Sequence, residues 1–293
     1  MKLSVVVAAQ DGGPELEKCL QGFEGQLPPE EMEILVVTAH RATVDAFERR
    51  FPKMRFLHPA KAMNVPLLWT AGIDAAQGDI VALTIENCRP APDWAVRTLA
   101  AHRGDWSCVG GAIEPRLEGC LIDWSVYFCR YSAYLLPFAP ELREDVAADN
   151  CSYKRAALAA VRPLASDGFW EALIHADMRR RGEKIMANPA PVVSWLGGIR
   201  SIRFLRRRYD HGRYFAAQRS RGLSTGQRLI RAIGFPAVPV VLLNRMATRV
   251  RNKGRFKKKF AQCLPLIAIF LTAWALGEGA GYLFGYSGKG PTE

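Results

Sequence analysis

The stretch "VALTIENCRPAPDW", residues 81–94, decides the fold. An apolar run over residues 80–85 stops abruptly at Glu86-Asn87-Cys88 and passes into a proline-punctuated turn. A continuous apolar run of this length marks a strand buried on both faces. A strand that stops on carboxylate and amide side chains presents oxygen atoms at the carboxyl edge of a sheet, where open α/β folds bind ligands. Working outward, residues 64–77 predict a helix closed by Gly78, and residues 79–85 the strand that follows it. Residues 3–9 and 32–38 ("MEILVVT") predict two further buried strands, and "MRFLH" a short one. Helices are expected over residues 14–26, opened by Pro14, and over 42–51. Strands alternating with helices every twenty-odd residues imply right-handed crossovers and a parallel sheet.

Beyond the turn the pattern changes. A helix is expected over residues 94–102, then a strand "SCVGGAIEP", then an aromatic-rich stretch over 121–136. "AADNCSYKRAAL" holds a short strand, and "DGFWEALIHADMRRRG" a helix ended by Gly182, with Glu171 in its first, electropositive turn. No G-x-G-x-x-G follows the first strand and no G-x-x-x-x-G-K-[ST] occurs, which removes the dinucleotide and P-loop readings. The seven cysteines form no C-x-x-C pair and are irregularly spaced, which argues against a disulfide framework or a zinc site and for a reducing, cytosolic setting. His175 sits mid-helix without metal-ligand partners and reads as a packed or surface histidine rather than a catalytic one. The start, "MKLSVVVAAQ", has the Lys2 and Ala8-Ala9 of a secretory leader, but its apolar stretch is too short and reads as the first strand.

With 293 residues, 49% hydrophobic and 23% charged, the chain can bury a real core, and disorder is expected only in the Gly/Ser-rich tail after Tyr286. The formal charge of +12 is uneven. Residues 199–259 hold 18 Lys/Arg against the single acid Asp210, a net of +17 that leaves the remainder at −5. Such a basic block seeks phosphate, on nucleic acid or on anionic lipid. No nucleic-acid-binding module accompanies it, so no nucleic-acid partner is expected. Two apolar segments, 233–243 and 264–286, alternate with the basic ones. The first is too short to span a bilayer and the second is long enough, interrupted by Glu278. Keeping both basic flanks on the cytoplasmic side predicts one re-entrant or interfacial piece plus one spanning or deeply embedded helix on an anionic membrane surface. A buried hairpin of core helices is the alternative.

Several segments together resemble the family 2 glycosyltransferases of the GT-A nucleotide-sugar fold. They are "KLSVVVAAQDGGPELEKCLQGFEGQ", "EILVV", "TAGIDAAQGDIVALTIENCRPAPDW", "ADNCSYKRAAL", "GFWEALIHADMRRRGEKI" and "DHGRYFAAQR", covering most of residues 2–221. The tail "LGEGAGYLFGY" looks like that of membrane-associated members. The resemblance implies an α/β fold with a GT-A-like, mostly parallel sheet flanked by helices, followed by a basic, partly apolar membrane-associated region. The nucleotide-sugar-binding half would span 1–92, the acceptor-binding and catalytic half of the same domain 93–198, and the juxtamembrane segment 199–293. It implies sugar transfer, with inversion, from a nucleotide-diphosphate donor to a lipid-linked or polysaccharide acceptor at the cytoplasmic face of a membrane.

The family's Asp-x-Asp cluster, which holds a divalent cation on the donor diphosphate, falls on Ile85-Glu86-Asn87. Glu86 and Asn87 are therefore the expected diphosphate and Mg²⁺ or Mn²⁺ ligands, with cationic side chains as the alternative means of neutralising the phosphates. The family's base-reading Asp falls in Thr38-Ala39-His40, which leaves Asp11 or Thr38 to touch base or ribose. The resemblance places the catalytic base at Glu171, Trp170 against a sugar ring, Asp149 and Asn150 on donor or acceptor hydroxyls, Lys154 and Arg155 in support of the diphosphate, and Arg213 near it. The alternative reading of Glu171 is a helix-capping carboxylate beside a core tryptophan, and Lys154 reads equally as part of an ordinary helix start. Gly110-Gly111 lets the backbone approach either a sugar or a strand. The eroded acids leave a rival expectation: a non-catalytic relative that binds a nucleotide sugar or a partner enzyme at the membrane.

Overall fold

The β-branched runs do form the innermost strands. The structure, a computed structural model, describes residues 1–61 and 63–286; the Gly/Ser-rich tail lies outside them. By contact density the chain forms two compact units, residues 1–116 with 134–196 and residues 117–133 with 197–293.

Along the chain the elements are β1 (Leu3–Ala8), α1 (Pro14–Phe23), β2 (Met32–Val37), α2 (Arg41–Phe47), β3 (Arg55–Leu57), α3 (Val65–Ala75), β4 (Ile80–Ile85), β5 (Cys88–Pro90), α4 (Trp94–Ala101) and β6 (Cys108–Pro115). There follow α5 (Leu121–Tyr131), β7 (Glu141–Leu142), β8 (Asn150–Lys154), α6 (Arg155–Val161), α7 (Glu171–Arg180) and β9 (Ile185–Trp195). The chain then turns wholly helical: α8 (Ser201–Arg219), α9 (Thr225–Ile233), α10 (Ala237–Lys253) and α11 (Lys257–Phe284).

In the first unit the strands run β3-β2-β1-β4-β8-β6-β9-β5, with β7 beside β9. β1, β2, β3 and β4 are mutually parallel, as their helical crossovers require. β8 then enters antiparallel between β4 and β6, and β5 and β7 both run antiparallel to β9. The sheet is therefore mixed rather than mostly parallel. Every residue of β1 and β4 is buried, and each large aliphatic side chain so placed contributes about 1.5–3 kcal/mol. Asn64 caps α3 by accepting from the Leu67 N–H at 3.1 Å. Gly110-Gly111 face protein rather than leaving space for a sugar: a Cβ would lie 2.3 Å from the Val146 side chain at Gly110 and 2.2 Å from the Pro191 carbonyl oxygen at Gly111.

The second unit is built around α11. At about 1.5 Å per residue its 28 residues reach about 42 Å, longer than a hydrocarbon core. It is long and apolar enough to cross a membrane; α9 and α10 pass the same test only as a pair bent by 60° at residues 234–236. Glu278, the acid inside α11, accepts from Arg219 of α8 at 2.9 Å and from Trp274 Nε1 at 3.2 Å. α8 and α11 approach so closely that a Cβ on Gly277 would lie 2.0 Å from the Tyr209 carbonyl oxygen, and one on Gly212 2.3 Å from that of Trp274. The aromatic face of α5 packs here too, with Trp124 on Phe256 (4.9 Å between ring centres) and Phe128 on Phe260 (5.0 Å). Gly277→Ala is expected to destabilise the unit by about 1–3 kcal/mol, read from thermal unfolding of the full chain in detergent. An unchanged midpoint would show that the helices do not pack this closely.

Candidate active site

The carboxyl end of β4 is tied to the loop after β1 by one side chain. Glu86 is 5% exposed, and its two carboxylate oxygens accept the backbone N–H groups of Gln10 (2.9 Å), Asp11 (2.8 Å) and Gly12 (2.7 Å). Gly12, at φ 68°, makes the turn that points its N–H inward. Burial raises the Glu86 carboxyl to about 7 despite these three bonds, which favour the ionised form. Glu86 therefore acts as a loop clamp, not as the outward-facing ligand expected from the sequence.

This donor set does not fit a hard divalent cation. Glu86 is turned into the protein and partly protonated near neutrality, and Asn87 adds only an amide. Among the described residues, the one group of three or more His, Cys, Asp or Glu side chains spaced to hold an ion lies elsewhere, at Cys108, Cys151 and His175.

β8 brings the next residues to the same edge. Thr84 of β4 pairs with Asn150 of β8 and donates its hydroxyl to the Asp149 carbonyl at 2.9 Å. Asn150 is not available to a sugar. Its amide donates to the carbonyls of Ala112 (2.8 Å) and Pro191 (3.1 Å), and its oxygen accepts from Trp94 Nε1 (2.8 Å). Asp149 is buried beside it. The register places Lys154 opposite Ile80, at the amino end of β4 and hence the far edge of the sheet. There it donates to the Gly104 carbonyl. Lys154 and the following Arg155 are thus on the wrong edge for a diphosphate bound near Glu86.

Glu171 opens α7, with Trp170 at the N-cap position. Its carboxyl is raised to about 7, first by burial, then by the neighbouring carboxylates of Asp145 and Asp149, against the pull of His175. A carboxyl that ionises near neutral pH has the chemistry a general base needs. Trp170 itself is buried, with its indole N–H on the Asp167 carbonyl, so it offers no ring face to a sugar. Thr38 is also fully buried; its hydroxyl accepts the His40 N–H and its carbonyl bonds His58. Asp11 is exposed at the β1 loop. In the second unit, Arg213 donates Nε to the Gly285 carbonyl at 2.9 Å and lies over the Tyr286 ring, contacts that hold α8 to the end of α11.

Sequence reasoning missed His175. It lies one turn below Glu171, fully buried, with Nδ1 on Asp145 and Nε2 hydrogen-bonded to the Tyr153 hydroxyl at 2.8 Å. Burial works against its charged form, but Asp145 and Cys151 outweigh it and raise the imidazole to about 9.

No protein-family model matches the sequence, and no curated protein matches it. Solved structures do match the fold. The mannosyltransferase PcManGT from Pyrobaculum calidifontis, in complex with GDP-Man and Mn²⁺, superposes with a TM-score of 0.61 at 15% identity over 94% of this chain and 86% of that one. GalNAc-T7 with UDP, GalNAc and Mn²⁺ gives 0.53 at 13% identity over 68% of this chain; the match spans 43% of GalNAc-T7. Both are GT-A-fold glycosyltransferases, and this chain has that fold.

Proposed function

We propose that the protein is a glycosyltransferase that moves a sugar from a nucleotide-diphosphate donor to a lipid-linked or polysaccharide acceptor at a membrane, with Glu171 as the base. The observation that carries this reading is Glu171 itself: a carboxylate beside Asp145 and Asp149, tuned to about 7, in a fold whose solved relatives bind nucleotide sugars. Glu171 takes the proton from the acceptor hydroxyl as its oxygen bonds to the anomeric carbon, and the bond from that carbon to the diphosphate breaks on the opposite face, releasing the nucleoside diphosphate and inverting the configuration. Asp149 holds a sugar hydroxyl, and Glu86 fixes the β1 loop, with Asp11 at its surface, on which the nucleotide rests. No step is routed through a metal, because Glu86 and Asn87 do not make a site for one. Donor affinity is therefore expected to be equal in EDTA and in Mn²⁺, measured by calorimetry over UDP-, GDP- and dTDP-sugars. A tightening of tenfold or more with Mn²⁺ would overturn the metal-free assignment.

The lipid acceptor and the membrane are supported by the second unit. Between α8 and α11 runs a groove of about 1000 Å³, lined by the apolar Leu205, Ile269 and Leu276 and by the arginines Arg203 and Arg206. Apolar and cationic lining together suit a lipid chain with a phosphate head. The basic run from Arg255 to Lys259 at the start of α11 is the part that would meet anionic lipid on the cytoplasmic side.

A non-catalytic nucleotide-sugar binder is the second reading, favoured by the conversion of Glu86 from ligand to clamp. Transfer or donor hydrolysis by wild type that disappears in Glu171→Gln supports the enzyme. Tight donor binding without turnover supports the binder.

A further inference from the structure

The interior of the first unit holds a polar cluster that the proposed transfer does not use. Cys108 on β6 and Cys151 on β8 point to the same side of adjacent antiparallel strands, with Sγ atoms 3.2 Å apart. His175 on α7 faces them, its Nε2 3.9 Å from Cys108 Sγ. All three ligand atoms lie within 4.8 Å of one another, and all three residues are buried.

The geometry points to a structural zinc site formed by Cys108, Cys151 and His175, which pins the helix carrying Glu171 to the sheet. Tetrahedral zinc, with bonds of about 2.3 Å to sulfur and about 2.0 Å to nitrogen, needs ligand atoms roughly 3.5–3.8 Å apart. The two Cys108 spacings, 3.2 Å to Cys151 and 3.9 Å to His175, lie on either side of that range. Asp145 on Nδ1 is the partner a metal-bound imidazole requires: it fixes the N–H there and turns the Nε2 lone pair toward the thiols. Charge agrees with burial. Zn²⁺ displaces a proton from each thiol and one from the imidazolium, so the ion and these three ligands sum to zero, and the half-exposed Asp145 keeps its own charge in contact with water. The Tyr153 hydroxyl oxygen, 2.8 Å from Nε2, is the group placed to take the fourth position and complete the tetrahedron. Zinc is favoured over Mg²⁺ or Mn²⁺ because thiolate is a soft ligand. The four residues come from positions 108, 145, 151 and 175, so no local spacing rule could reveal them.

The test is elemental analysis of the full chain, expressed with zinc, purified in detergent and dialysed. One zinc per chain is expected in wild type and in Cys120→Ser, which removes an exposed thiol outside the cluster. In Cys151→Ser and His175→Gln the content should fall below about a tenth of that. Cobalt(II) exchanged into wild type should show thiolate charge-transfer bands and the intense visible bands of a tetrahedral site, a readout that needs no variant. A wild-type chain that takes up neither metal, a Cys108–Cys151 disulfide in place of bound metal, or zinc retained by both variants would overturn the assignment. Because the readout is metal content, it is independent of whether sugar transfer is ever found.

Discussion

Glu171→Gln is expected to lower sugar transfer by about 10²- to 10⁴-fold while leaving nucleotide-sugar binding within a few-fold of wild type. The change keeps shape and removes the proton-accepting oxygen, so it separates a base from a carboxylate that only caps α7. The wild-type rate should rise with pH through about 7, where this carboxyl ionises, and level off above it. Asp145 and Asp149 both push that ionisation upward. Asp149→Asn should therefore move the rising limb to lower pH, even if it also weakens substrate. Stability should move oppositely. The folded state holds a proton on Glu171 that the unfolded chain has already released between its ordinary 4.5 and about 7, so stability falls as pH rises through that window. Above it, Glu171→Gln should melt higher than wild type. A pH-independent rate, or loss of donor affinity equal to the loss of turnover, would remove Glu171 from the chemistry.

The second large effect concerns Glu86. Glu86→Ala strands the N–H groups of Gln10, Asp11 and Gly12 beside a buried strand end. Each orphaned group costs about 1–3 kcal/mol, so a loss of about 3 kcal/mol or more is expected unless the loop moves out to water. Either outcome dismantles the β1 loop, and nucleotide-sugar affinity should drop with it. Glu86→Gln keeps one acceptor oxygen but sets an amide N–H against a backbone N–H, and should be intermediate. Thermal unfolding with donor titration reads both, and an Ala variant with unchanged midpoint and affinity would show that the clamp is dispensable.

How far the sequence carried can be judged element by element. β1, β2 and β4 were legible because strands buried on both faces leave uninterrupted apolar runs. β9 was not. Its "IMANPAPVVSW" carries two prolines, which interrupt the apolar run that marks a strand. The register explains why a strand survives: Gly110 pairs with Ala187 and Ala112 with Val192, so Asn188 to Pro191 bulge out of the ladder and neither proline owes it an N–H. α8 was legible only as a run of arginines, because its contact with α11 rests on glycines and backbone rather than on an apolar period. At the site, the helix start at Glu171 was legible, whereas its role as a base came from the family resemblance. Glu86 was found for the wrong reason, since no sequence pattern tells whether a strand-end carboxylate points at a ligand or at its own chain. Thr38, Asn150 and Trp170 have suitable chemistry, yet their polar atoms are spent on the interior.

The most direct test of the central claim is photo-crosslinking of the full chain in membranes with azido-UDP-, azido-GDP- and azido-dTDP-sugars, followed by peptide mapping. At least one of these donors is predicted to label, saturably, the edge of the sheet formed by residues 10–13, 86–88 and 149. Saturable label confined to residues 197–286, or none that unlabelled donor competes away, would contradict it.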